Sequence, residues 1–173
     1  SNYWYCPINM SAASGTNYTL TADKIYVVPI WITADMTLEA LTASVTTAVG
    51  SSSLRLGIYN YNSTGLAGTL LADAGTADST STGWKIISGL STSVAQGHYF
   101  LSIQSDSAIA VTRFNISHAG GGSFNQIPFS STEGTPAAFA FGLMRYDVSY
   151  ATGFSDLTSL TPDAYDYYQI AIE

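Results

Sequence analysis

Between residues 53 and 103 the chain is cut by Gly, Asn and Ser into pieces too short to make helices, and each piece has the composition of a strand. In the first, Leu54, Leu56 and Ile58 alternate with Arg55, Gly57 and Tyr59, so the two sets fall on opposite faces and the register is pinned. Asn60 to Gly68 has the chemistry of a surface loop and leads into a short strand over Thr69 to Ala74. A turn at Asp78 to Gly83 follows. Trp84, Ile86 and Ser88 then alternate with Lys85 and Ile87, Gly89 to Gly97 reads as a connection, and His98 to Gln104 places Tyr99, Leu101 and Ile103 on one face. Ile109 to Phe114 is the next strand.

Upstream, Lys24 to Thr33 is dense in β-branched and aromatic residues and reads as a strand. Pro29 within it cannot donate to a ladder, so the strand lies at an edge, carries a bulge there, or breaks. Met36 to Thr47 is a half-buried strand, with a helix as the alternative reading. These segments predict an all-β fold, an antiparallel jelly-roll-like β-sandwich forming a single domain over residues 1–173. From about 117 to 162, opened by Gly120-Gly121-Gly122-Ser123, the pattern weakens into a long loop-rich insertion in which only Ala137 to Met144 looks like a strand. Tyr165 to Ile172, with Tyr168, Ile170 and Ile172 alternating, is expected to close the fold as a strand deep in the sandwich.

Composition narrows the partners. Only 10% of the residues are charged, and 12 acids against the five scattered bases Lys24, Arg55, Lys85, Arg113 and Arg145 give a net charge of −7, which argues against nucleic acid. No apolar run is long enough to span a bilayer, and Ser1-Asn2-Tyr3-Trp4 has neither the basic start nor the apolar core of a signal peptide, so no membrane insertion is expected. Cys6 stands alone and is expected to be a small buried residue, with no disulfide and no Cys-based metal site.

No catalytic constellation stands out, and no cofactor or metal is expected. His98 and His118 lack metal-ligand spacing, and no Gly-x-Ser-x-Gly elbow occurs. Asp163 with Asp166, and Asp73 with Asp78, have the form of carboxylate pairs or calcium ligands but read better as solvated turns. The sequons at Asn17, Asn62 and Asn115 arise easily in a chain this rich in Ser and Thr. Aromatic residues carry more. A sugar ring stacks its apolar face on Trp or Tyr while amides align with its hydroxyls, which makes Tyr59 and Tyr61 beside the 60–65 loop, and Tyr146 and Tyr150 with Asn125, the candidate glycan or partner contacts.

The stretches Arg55-Leu56-Gly57-Ile58-Tyr59-Asn60, Gly68-Thr69-Leu70-Leu71-Ala72-Asp73-Ala74-Gly75-Thr76, Gly83-Trp84-Lys85 and Gly97-His98-Tyr99-Phe100-Leu101 together resemble a β-sandwich module of bacteriophage virion proteins, the tail-fibre and head-decoration type. Asp23 to Ile30 and the aromatic opening Tyr3-Trp4-Tyr5 with Pro7 extend the resemblance over about residues 3–115. It implies a non-enzymatic protein of the virion, a homotrimer that contacts other virion proteins and possesses a surface suited to a host glycan. Secreted carbohydrate-binding modules share a similar strand–loop–strand and form the alternative reading; a glycan-active enzyme with its site in the 117–162 region is a third.

Overall fold

The computed structural model describes residues 16–63, 65–113, 139–140, 144–164 and 169–170. In chain order the strands are β1 Thr16–Thr19, β2 Lys24–Ile32, β3 Met36–Thr47, β4 Ser53–Tyr61, β5 Ala67–Asp78, β6 Gly83–Val94, β7 Gly97–Ser105, β8 Ala110–Arg113, β9 Phe139–Ala140, β10 Met144–Asp147, β11 Asp163–Ala164 and β12 Gln169–Ile170. No α-helix occurs among the described residues; a single 3₁₀ turn spans Tyr150–Thr152. Two antiparallel sheets pack face to face as a β-sandwich: a four-stranded sheet in the order β1-β8-β3-β6 and a six-stranded sheet in the order β11-β10-β2-β7-β4-β5.

Between the sheets the core follows the period of two. Tyr26, Leu54, Leu56 and Ile103 from the large sheet meet Leu41, Ala43, Val45 and Ile87 from the small one. Further along, Ile30, Ile32, Tyr99, Leu101 and Leu71 meet Val94, Met36 and Leu38. The predicted inward sets of β4 and β7 therefore face the core.

Several boundaries differ from the sequence reading. β6 continues through the residues read as a connection, because Ile87 and Val94 are both buried on the inner face while Gly89, at φ 88°, accommodates the irregularity opposite the bulge between Leu38 and Ala40. β5 runs from Ala67 to Asp78, longer than the short strand expected, with three register shifts against β4. Pro29 sits opposite Phe100 within β2, on the stretch past Val27 where β10 no longer pairs, so among the described residues that half of the strand has one neighbour and the missing N–H interrupts no second ladder. Of the closing strand expected over Tyr165 to Ile172, residues 169–170 are described, as β12, which pairs with β9 in a separate two-stranded sheet; the rest lies outside the described residues.

Part of the weakly patterned region has a defined role. β10 adds to β2, and the residues after it cross the outer face of the large sheet as a roof. Val148 N–H donates to Asp23 O at 3.3 Å, Tyr150 N–H to Asp23 Oδ1 at 2.7 Å, and Leu157 N–H to Gly68 O at 3.0 Å. Under the roof lies a second core of Ile25, Val27, Tyr59, Ala67, Phe100 and Tyr146, closed from above by Phe154 and Leu157. β4 is thus buried on both faces.

Gly57 is the notch that admits the roof. A Cβ there would lie 2.6 Å from Phe154 Cε2 and 2.9 Å from Ala72 O. Gly57→Ala is therefore expected to destabilise the protein by about 1–3 kcal/mol in urea unfolding, whereas Gly50→Ala, with nothing within 4 Å of its Cβ, stays within about 0.5 kcal/mol of the parent.

Candidate functional site

Among the described residues, the roof stops short of one end of the outer face. There the register of β2 against β7 places Trp31 opposite His98, and that of β4 against β7 places Asn60 opposite Tyr99, so Tyr61 is the next residue along, on the outer face beside His98. Three rings from three adjacent strands form one row. Trp31 and His98 lie with centroids 4.3 Å apart at 51°, and His98 and Tyr61 at 5.4 Å and 40°. Behind the row Tyr61 stacks on Phe100 at 5.8 Å with planes only 2° apart, which ties the surface rings to the second core. Trp31 is 38% exposed, while His98 and Tyr61 are half-buried.

The electrostatics of the row are neutral. Burial lowers the His98 pKa below that of a free imidazole, so the ring is uncharged near neutral pH, and its Nδ1 is enclosed without a hydrogen-bond partner. Asn60 Nδ2 is held by Thr69 Oγ1 at 2.8 Å, and Asn62 Oδ1 accepts from Leu66 N–H at 2.9 Å, closing the loop between β4 and β5. The nearest carboxylate along the chain, Asp35, accepts from Gln96 N–H at 2.7 Å in the connection after β2.

The four tyrosines named from sequence have different fates. Tyr59 and Tyr146 are fully buried, so neither presents a ring face to solvent. The Tyr59 hydroxyl donates to Ser155 O at 3.1 Å and pins the roof, and its pKa is raised, chiefly by burial. Tyr150 stands over the Arg55 guanidinium at 5.5 Å from the ring centroid, half-buried within the roof. Tyr61 alone joins the open row; Asn125 lies outside the described residues. Trp31 and His98 were not among the sequence candidates. Their signal was faint: Trp31 ends the outward set Ile25, Val27, Pro29, Trp31, but its cross-strand partner lies 67 residues away, and no local pattern gives that register.

Several charged groups elsewhere are engaged locally. Asp73 pairs with Arg55 at 2.6 Å and accepts from Gly75 N–H, Asp78 accepts from Thr80 N–H and Oγ1, and Lys24 pairs with Asp147. Among the described residues no group of three or more His, Cys, Asp or Glu is placed to hold a metal. No protein-family model, curated protein or solved structure matches the chain.

A second exposed feature lies on the small sheet. β6 is its edge strand and carries Trp84, 69% exposed, and Ile86, 54% exposed, opposite Ser44 and Thr42 of β3.

The neutral His98 makes stability depend on pH. Its folded pKa lies below the unfolded value of about 6.5, so as pH falls the unfolded chain takes up the proton first and the folded state loses stability. A thermal-melting series from about pH 7.5 down to about pH 5 is expected to show a falling midpoint. His98→Gln is expected to flatten that fall.

Proposed function

We propose that the chain is a non-enzymatic structural module of a bacteriophage virion, a head decoration, fibre or tail-fibre domain that assembles as a homotrimer and meets host-surface glycan. The observation carrying the assembly half is the edge position of β6, which among the described residues pairs with β3 alone. Edge strands in proteins that stay monomeric are blunted by charge, proline or shortness. β6 runs for 12 residues with Lys85 as its single charge and no proline, in a chain where acids outnumber bases 12 to five. Trp84 and Ile86 add an exposed apolar patch on a strand that is an edge among the described residues, a combination that suits protein–protein contact. The resemblance of residues 3–115 to phage virion sandwiches points the same way.

The alternative is a secreted carbohydrate-binding module, and the Trp31 row is the observation that favours it. Mass measurement in solution separates the two. A trimer is expected, and Trp84→Ser with Ile86→Lys is expected to shift it toward monomer without loss of the folded state. Labelled antibody is expected to decorate purified phage particles. A monomer that binds sugar and is absent from particles would favour the binding module instead, and turnover of a polysaccharide would displace both readings.

A further inference from the structure

The geometry points to the row of Trp31, His98 and Tyr61 as a binding site for the apolar face of a neutral pyranose, one that discriminates against acidic sugars. This deepens the adhesive half of the reading above by giving it an address and a ligand class.

The row has the form such a ligand needs. Its three rings stand on adjacent hydrogen-bonded strands and not on loops, so the platform is ordered before anything binds and little side-chain entropy is lost on contact. Trp31 is held from one side by His98 at 4.3 Å yet keeps 38% of its surface exposed, and Tyr61 is braced from behind by Phe100. Across β2, β7 and β4 the row spans two interstrand spacings, roughly 10 Å, the footprint of about two sugar rings. C–H groups on one face of a pyranose meet the negative faces of aromatic rings, the contact that Trp and Tyr make best.

Selectivity against acidic sugars follows from what surrounds the rings. The row itself carries no cation. Along β2 and β4 the basic residues are Lys24 and Arg55, seven and six residues from Trp31 and Tyr61, roughly 20 Å away at the strand rise, and both are already paired with carboxylates. Asp35 follows β2 at the end where Trp31 lies. A sialic acid or uronate would bring its carboxylate to rings that carry no cation, beside described strands whose bases are distant and already paired, in a chain of net charge −7.

The test is a glycan array carrying neutral oligosaccharides of glucose, galactose, mannose and N-acetylglucosamine beside sialylated and uronate-bearing ones, followed by isothermal titration with the best neutral disaccharide. Binding to neutral sugars is expected, and Trp31→Ala is expected to weaken it about tenfold, with a lowered thermal midpoint but a retained folded state, since the ring is 38% exposed and otherwise packed on His98. Trp31→Tyr is expected to restore most of the affinity. Unchanged binding by Trp31→Ala, preference for the acidic sugars, or no binding to any neutral sugar would each overturn the site. The last result with a trimer on phage particles leaves the assembly reading intact; neutral-sugar binding through Trp31 by a monomer absent from particles upholds the site and removes the virion.

Discussion

The outer half of this protein depends on the contact between the Phe154 ring and the notch left by Gly57 in β4. With no side chain at 57, the ring reaches the backbone of the sheet, where it meets Tyr59 edge-on at 5.9 Å and lies 5.8 Å from the Arg55 guanidinium. Arg55 is in turn held by Asp73 and lies against the Tyr150 ring, so a charged side chain becomes part of the packing. This one docking converts a sheet face that would otherwise be wet into a second core. It also draws the line where that core stops: Phe100 is covered, while its neighbours Tyr61, His98 and Trp31 run out from under the roof.

Much of the sandwich was legible because its signal is local. Alternation within β4 and β7 named the inward residues, and the turn chemistry around 79–82 and 106–107 marked where the chain reverses. What alternation cannot say is whether the other face meets water. Tyr59 reads as a surface aromatic because it alternates with core leucines, and it is buried because residues nearly a hundred positions later cover it. The same limit hid the site. Tyr61 is recognisable as an aromatic beside a loop, but its company of Trp31 and His98 comes from two long-range pairings that no window of sequence contains.

The two layers are finished differently. On the large sheet, aromatic side chains are roofed over or stacked on one another. On the small sheet the outward positions of β3 include the short hydroxyl residues Thr42 and Ser44, with Thr42 Oγ1 donating to Lys85 O at 3.0 Å, and the exposed Trp84 and Ile86 lie on β6. The two surfaces differ in form: one is a row of rings preset by the backbone, the other a strand that among the described residues is paired on one side only.

The bonds that fasten the roof also bear on how the molecule comes together. They join residues 86 to 127 positions apart in sequence: Leu70 to Asp156, Tyr59 to Ser155, and Tyr150 to Asp23. Closing loops of that length costs entropy that only a preformed docking face repays, and chains dominated by such contacts fold slowly. The roof's partners lie on or beside β2, β4 and β5, so it can dock only where those strands are in place. A sheet without its roof would expose the aromatic outer face that Phe154 and Leu157 cover, and so carry more sticky surface than the finished molecule.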